Sequence, residues 1–393
     1  PWEFISSLMK TDDAVVVRNA GMKGALGEGG SEFIAKSVPV RPEAVKYYAQ
    51  KMLIDSGAEI LLQTFAVEVV KEKNKIRGLI VANKDGLTLV PVQCVVDCTG
   101  DADTAAAAGA AFDKGRTGDG LMQPMTQLFV LGDLDLSLAE ANGVSIPRNM
   151  EVVGSEAWKS FYKKADIKLK KWEPELRKEF PDSGIDKGFL VRYWGDGVYY
   201  AGTMLHIPYF DGSSGTDLSK ALLQGKDFIW RLVQFLRASV PGFRNSYLVQ
   251  TFNLGVRETR RIHGEYTLTY DDVIDAARHT DDVVLNGYFV DIHDYHGNWL
   301  HVPDKGTLVK DNGAYGIPYR CLIPQGIDGL LVAGRSLSST HEAQASARVM
   351  GTCMGMGQAA GTAAALAKKM NIPPREVDPE ILRKTLIEQE ALV

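Results

Sequence analysis

Residues 329–367 read GLLVAGRSLSSTHEAQASARVMGTCMGMGQAAGTAAALA and contain an apolar run, a turn and a long series of small residues. The apolar run predicts a buried strand, and the pair Gly334-Arg335 predicts the tight turn at its end. Residues 351–367 are almost all small or unbranched, which is typical of a helix that packs closely against a sheet. The segment therefore predicts a strand, a turn and a closely packed helix, in that order.

Earlier parts of the chain also carry clear local patterns. A helix is predicted from Pro42 to a stop at Gly57, and an N-terminal cap at Asp378 predicts a last helix. Short turns join three β-type segments, which favours an antiparallel meander. These segments are residues 59–70, 75–83 and 87–99. The third ends in VVDCTGD at 95–101, before an alanine-rich run that predicts a helix.

Composition limits the class of protein. The 393 residues carry a formal net charge of −5 and are 45% hydrophobic and 24% charged, as in a soluble protein of about two domains. No run approaches the roughly 18–20 apolar residues of a membrane span. Basic residues cluster only at 163–171, predicted as a solvated face, and at 257–261, so nucleic acid is not a predicted partner. A small-molecule substrate is expected, and the oligomeric state, including a homo-oligomer, stays open.

Cysteine and histidine spacings give no metal or disulfide signal. The four cysteines form no CxxC pair and lie in apolar surroundings, so a reducing, cytoplasmic location is expected. They are Cys94, Cys98, Cys321 and Cys353. His293, His296 and His301 lack ligand spacing, and no metal site is predicted.

Three sequence blocks, in this order, resemble one known family. They are VVDCTGDAD at 95–103, GVRETRRIHGEY at 255–266, and residues 329–367, which IPYRCLIP precedes. They resemble the FAD-dependent oxidoreductases with a glutathione-reductase-like fold, particularly bacterial members with a VIDATGD-type strand end and a VAGR-type signature. The resemblance implies an α/β fold, with a discontinuous FAD-binding domain that contains the antiparallel meander and an inserted α+β substrate domain.

The expected domain boundaries follow from these blocks and from the middle region, which is richer in aromatic and charged residues. The FAD-binding domain is expected at residues 1–117 and 322–370, the substrate-binding domain at 118–321, and a C-terminal helix at 371–393.

One family feature is missing from the sequence. No strand is followed by G-x-G-x-x-G and a helix, and GMGQAA at 355–360 is interpreted as a chance match because no strand precedes it. Backbone N–H groups of that turn normally hold the cofactor's pyrophosphate. A leading segment is therefore expected to be missing from this sequence, and whether this chain holds FAD stays open.

The resemblance implies a set of cofactor-binding residues. The N–H groups of Met350, Gly351 and Thr352 would stabilise negative charge on the reduced flavin, although a helix start that needs a flexible residue explains Gly351 as well. The remaining members would contact the flavin, the ADP half or the adenine, although a plain turn also explains Gly100. They are Ala66, Val67, Thr99, Gly100, Asp101, Gly334, Arg335 and Ser338.

Catalytic and substrate-binding residues are predicted around the second and third blocks. His341, with Arg348 after it, is the first candidate for proton transfer, and a loop histidine bonded to the backbone is the alternative. Arginines 257, 260 and 261 could clamp a carboxylate or form ion pairs with Glu258 and Glu265. The predicted substrate-binding set is Arg257, Arg260, His263, Tyr319 and Arg320, with His263 also the second candidate for proton transfer.

The predicted function is hydride transfer between a small polar organic substrate and FAD, with the direction and the electron acceptor open. A flavin-free binding or scaffold protein derived from this family is the first alternative. A cofactor-independent hydrolase or isomerase is the second, although no nucleophile-elbow motif supports it.

Overall fold

The computed structural model describes residues 2–11, 14, 16–18, 36–145, 151–153, 163–193, 197–202, 205–293 and 306–393. Within these residues, helices and mostly antiparallel strands form a mixed α/β fold. His296, His301 and the glycine-rich stretch at 21–30 lie outside the described residues. None of the described helices is both long and apolar enough to cross a membrane.

The α-helices differ widely in length. In chain order they are α1 (Trp2–Met9), α2 (Pro42–Asp55), α3 (Asp103–Ala107), α4 (Leu136–Ala141), α5 (Glu173–Glu179), α6 (Gly215–Ser239), α7 (Tyr270–Ile274), α8 (His341–Ala347), α9 (Met350–Met370) and α10 (Pro379–Glu388). The two helices predicted from Pro42 and from Asp378 are confirmed, since α2 begins at Pro42 and the Asp378 side chain caps α10.

The strands are mostly short. In chain order they are β1 (Val16–Arg18), β2 (Lys36–Ser37), β3 (Phe65–Glu72), β4 (Lys75–Asn83), β5 (Gly86–Pro91), β6 (Val95–Asp97), β7 (Phe112–Lys114), β8 (Met125–Gly132), β9 (Glu151–Val153), β10 (Lys163–Ile167), β11 (Phe189–Tyr193), β12 (Val198–Gly202), β13 (His206–Ile207), β14 (Tyr247–Gly255), β15 (Arg260–Ile262), β16 (Asp282–Asn286), β17 (Tyr315–Pro318) and β18 (Leu330–Val332).

The predicted antiparallel meander is confirmed as β3-β4-β5, with two corrections to its limits. The first strand begins only at Phe65, because Gln63 adopts a left-handed conformation with φ of 54°. The segment 87–99 is two strands, since β5 ends at Pro91, which has no N–H to continue a ladder. The second of these strands, β6, pairs elsewhere.

The strand β6 forms a parallel pair with β18, with Val95 opposite Leu330 and Asp97 opposite Val332. The carboxyl ends of both strands therefore lie at the same edge of the sheet. In α/β sheets, ligands bind in the crevice outside such strand ends. The turns that follow Asp97 and Val332 are consequently the first place to look for a site.

The middle of the chain contains a six-stranded antiparallel sheet in the order β10-β11-β12-β8-β13, with β14 also paired to β8. The helix α6 packs on it through a stripe of buried residues at helical spacing. The basic run at 163–171 is only partly the predicted solvated face, because it includes β10, and Ile167 and Leu169 are fully buried.

The long helix α9 packs closely on the C-terminal core, as the small residues predict. Met356, Ala359, Ala360 and Ala363 are fully buried. A Cβ built on Gly355 would lie 3.2 Å from the Val284 side chain, so β16 approaches the helix backbone directly. This packing fixes the start of α9 relative to β18 and α8.

Candidate functional site

The turn after β6 is held by the buried carboxylate of Asp97. It accepts hydrogen bonds from the Thr99 N–H (2.9 Å), the Thr99 hydroxyl (2.7 Å) and the Ala105 N–H (2.9 Å). The last of these satisfies a free amide in the first turn of α3. The Thr99–Gly100–Asp101 turn is therefore fixed before any ligand binds.

Contacts within the chain itself explain why residue 100 is a glycine. Its φ is +77°, and an added Cβ would lie 2.6 Å from Cζ of Arg335. The Arg335 guanidinium lies over this glycine and donates to Asp101 Oδ1 at 2.8 Å, where the Thr259 hydroxyl also donates at 2.9 Å. Arg335 thus occupies the space on the Cβ side of Gly100, and the contact of this turn with the cofactor stays a prediction.

Replacing Gly100 with alanine is expected to cost about 1–2 kcal/mol for the left-handed backbone and about 1 kcal/mol more for displacing Arg335. Urea unfolding measures this loss. Gly109→Ala is the matched control, because Gly109 has a similar φ of +82° but its added Cβ would lie 3.5 Å from the nearest atom. Equal losses of unfolding free energy in the two variants would show that the contact with Arg335 adds nothing to the cost of the substitution.

A buried charged network lies beneath His341. Both carboxylate oxygens of Glu258 lie 2.9 Å from Nδ1 of His341. The Arg261 guanidinium forms an ion pair with the same carboxylate, and the Gln123 N–H donates to it at 3.0 Å. Glu258, Arg261 and His341 are only 2%, 5% and 5% exposed. Arg261 therefore neutralises Glu258 inside the protein, and the ion-pair alternative holds for this arginine.

The position of Glu258 defines what His341 can do. A carboxylate at Nδ1 favours the tautomer with the proton on Nδ1, which leaves Nε2 as the nitrogen that accepts a proton. His341 opens α8 and bonds to a side chain, so the alternative of a loop histidine bonded to the backbone is wrong. Sequence reasoning treated Glu258 only as an ion-pair partner and missed its contact with His341.

A chain of amide side chains links His341's helix to two arginines. The Gln344 side chain donates to the Arg257 carbonyl at 2.8 Å and accepts from the Gln123 amide at 3.3 Å. Arg348 reaches the Gln123 amide oxygen at 3.4 Å. Arg257 donates to the Pro124 carbonyl at 2.6 Å. The structure therefore brings Arg257, Arg348 and the His341 helix together.

The other predicted substrate-binding residues lie apart from this cluster. Arg260 bonds to Asp103 (2.8 Å), Arg320 to Asp281 (2.9 Å), and Nε2 of His263 lies 3.1 Å from Asp113. Arg257 and Arg260 do not form a joint clamp, because Arg260 donates to the Asp101 carbonyl in the loop after β6, whereas Arg257 donates to the Pro124 carbonyl.

Two predicted site residues are corrected by burial. Tyr319 is 1% exposed and donates its hydroxyl to the Pro374 carbonyl at 2.8 Å, so it packs the core and offers no surface to a substrate. Ser338 is fully buried, with its hydroxyl 3.2 Å from that of Thr267, so it does not reach a cofactor. Ala66 and Val67, in contrast, lie on an exposed part of β3.

The start of α9, which the family resemblance places against the flavin ring, is exposed. No side chain among the described residues caps this helix, so its first N–H groups lack such a partner. Met350 is 72% exposed, and no atom lies within 4 Å of a Cβ added to Gly351, whereas Thr352 is 6% exposed. The positive end of a 21-residue helix is thus open beside Gly334-Arg335.

The thiols nearest these elements are not activated. Burial raises the pKa of Cys353 to about 11, and burial also raises the pKa of Cys98. No cluster of three or more metal-ligating side chains is found among the described residues. These thiols are therefore poor nucleophiles at neutral pH.

Several solved structures are similar to this chain. CabE, an aromatic hydroxylase from angucycline biosynthesis, is 13% identical with a TM-score of 0.32, over 60% of this chain and 37% of that one. A geranylgeranyl bacteriochlorophyll reductase-like protein from Thermoplasma acidophilum is 12% identical with a TM-score of 0.39, over 92% and 63%. Glycine oxidase from Bacillus cereus is 13% identical with a TM-score of 0.33, over 94% and 68%.

The chain spans less than two thirds of the length of the first two of these proteins. A comparison with curated proteins found no match. A family model described as FAD dependent oxidoreductase matches residues 2–386, which is nearly the whole chain. The chain therefore belongs to the FAD dependent oxidoreductase family.

Proposed function

We propose that the protein transfers a hydride between a small polar organic substrate and FAD at the edge where β6 and β18 end and α9 begins. The observation that carries this proposal is the open, uncapped start of α9, where Cys353 lies against Gly334 in the turn that follows β18. A helix start of this kind stabilises negative charge on a bound group.

The residues that would hold FAD follow from their positions. The N–H groups of Met350, Gly351 and Thr352 would face the ring, and the Gly334-Arg335 turn would lie beside it. The exposed residues Ala66 and Val67 and the turn from Thr99 to Asp101 would contact the rest of the FAD molecule. When bound, FAD supplies a ring that accepts or donates a hydride.

The chain's own residues would handle the proton. Glu258 orients His341, and Nε2 of His341 would take the proton from the substrate hydroxyl or amine as the hydride leaves the adjacent carbon. In the opposite direction the same nitrogen would return the proton. Burial of the Glu258–His341–Arg261 network keeps this geometry fixed and excludes water from it.

The same proposal includes the glutathione-reductase-like arrangement of domains. The FAD-binding domain would comprise residues 1–117 and 322–370, with the substrate domain at 118–321 and the C-terminal helix at 371–393. The pairing of β6 with β18 across the intervening region supports a discontinuous domain. The separate core of the middle sheet, built around Phe129 and Phe189, supports an inserted one.

A visible spectrum tests the proposal. The purified protein, incubated with FAD and freed of excess ligand, is expected to keep the yellow absorption of a bound flavin. Under anaerobic conditions, that absorption is expected to bleach with an oxidisable hydroxy or amino compound. A protein that stays colourless after FAD addition would contradict the proposal and favour the flavin-free binding protein.

A further inference from the structure

The cluster around Arg257 and Arg348 carries more positive than negative charge. Nη2 of Arg348 lies 3.4 Å from Oδ2 of Asp291, and Oδ1 of Asp291 lies 3.2 Å from Nε2 of His293. One carboxylate is therefore shared between an arginine and a histidine. Arg257 has no ion pair among the described residues.

The environment of Arg257 reflects this imbalance. Burial, together with the nearby charge of Arg348, lowers the pKa of Arg257 to about 10, and Asp291 only partly opposes this. Burial would raise the pKa of Asp291, but the hydrogen bond from His293 and the charges of Arg348 and Arg257 outweigh it and lower that pKa. The lowered pKa keeps Asp291 in its charged form, so among the described residues one carboxylate faces two guanidinium groups.

Both guanidinium groups have unused donors. The Nε atom of Arg348 is buried and has no partner among the described residues. Arg257 donates from Nη1 to the Pro124 carbonyl, and the side chain of the neighbouring residue Gln123 accepts from Arg348 at 3.4 Å. Each guanidinium carries five N–H donors in a planar fork, which matches the two oxygens of a carboxylate.

The cluster also lies on the same side of α8 as the predicted proton acceptor. His341, Gln344 and Arg348 follow one another at spacings of three and four residues, which places them on one face of the helix. Gln344 joins this face to Arg257 through its 2.8 Å bond to the Arg257 carbonyl. His341 and Arg348 are two helical turns, about 10 Å, apart along this face, so the arginine side chain and a small acid together would have to span that distance.

We propose that Arg257 and Arg348 form an anion-binding subsite for the carboxylate of a small acid that bears a hydroxyl or amino group on the neighbouring carbon. The inference rests on the proposed function, because it places the reacting carbon of that acid between this subsite and His341. It reassigns Arg348 from proton transfer to substrate binding.

Calorimetric titration with acetate, and with acetamide as its neutral counterpart, tests the subsite without turnover. Acetate is expected to bind saturably and with one site, whereas acetamide is not. Arg257→Gln and Arg348→Gln are each expected to weaken acetate binding at least about tenfold. Arg77→Gln, which removes an exposed arginine paired with Glu72, is the matched control and is expected to bind acetate normally.

A charge-conserving variant distinguishes loss of acetate binding from loss of folding. Arg348→Lys keeps the charge but not the planar fork, so intermediate acetate affinity is expected, and its melting temperature shows whether it folds. Acetate binding that is absent, or unchanged in the arginine variants, would overturn the subsite. Acetate binding by a protein that never takes up FAD would instead overturn the proposed function and leave the subsite in place.

Discussion

Replacing Glu258 with glutamine is expected to lower the free energy of unfolding by about 3–5 kcal/mol. The carboxylate is 2% exposed and is the counter-charge of Arg261, which is 5% exposed. Glutamine would leave that guanidinium buried with an uncompensated charge, although its bonds to the Ser339 and Gly115 carbonyls would remain. Urea unfolding, followed by circular dichroism, measures the loss.

The matched control for this variant is Glu173→Gln. Glu173 also pairs with an arginine, Arg177, but their side chains are 38% and 62% exposed. Water screens this pair, so a loss below about 0.5 kcal/mol is expected. A Glu258→Gln variant that unfolds like the control would mean that Arg261 does not depend on Glu258.

His341→Ala is expected to lower the rate of hydride transfer by a factor of about 10²–10⁴ in the protein with bound FAD. The variant removes the group proposed to exchange the substrate proton and leaves the start of α9 unchanged. The measurement is the anaerobic rate of flavin bleaching by a substrate found in the spectral assay. Flavin content, read from the visible absorption, is expected to stay near that of the parent protein.

His263→Ala is the control for this prediction, because His263 was the second candidate and its side chain is 44% exposed beside Asp113. Its bleaching rate is expected to stay within about twofold of the parent rate. An unaltered rate in His341→Ala would remove His341 from the mechanism. A reduced rate in His263→Ala alone would move the proton-transfer role to His263.

Features set by neighbouring residues could be predicted from the sequence. Pro42 and Asp378 mark helix starts through their own backbone and side-chain chemistry, and the small residues of α9 predict its close packing. The β3-β4-β5 meander follows from alternation and short turns. The prediction of one strand at 87–99 was wrong, because Pro91 ends β5 and the following strand β6 pairs with β18, more than 200 residues further along the chain.

Features set by distant contacts could not be predicted in this way. Glu258 and His341 are 83 positions apart, and nothing local to either residue shows that they meet. Gly100 was expected to face the cofactor, but its neighbour is Arg335, which lies 235 positions further along the chain. Tyrosine is a common residue type in binding sites, and only the fold shows that the Tyr319 hydroxyl donates its hydrogen bond inside the core.

The midpoint potential of bound FAD in Gly351→Asp tests the central claim most directly. An acidic residue in the first turn is favourable for the helix itself, but it would repel the negative charge of the reduced flavin. Gly361→Asp is the matched control, since Gly361 is an exposed glycine of the same helix whose added Cβ also meets no atom within 4 Å. We expect Gly351→Asp to lower the potential by about 20–60 mV, which corresponds to ~1–3 kcal/mol for a two-electron couple, and Gly361→Asp to leave it unchanged. Equal potentials in the two variants would contradict the claim that the start of α9 faces the flavin.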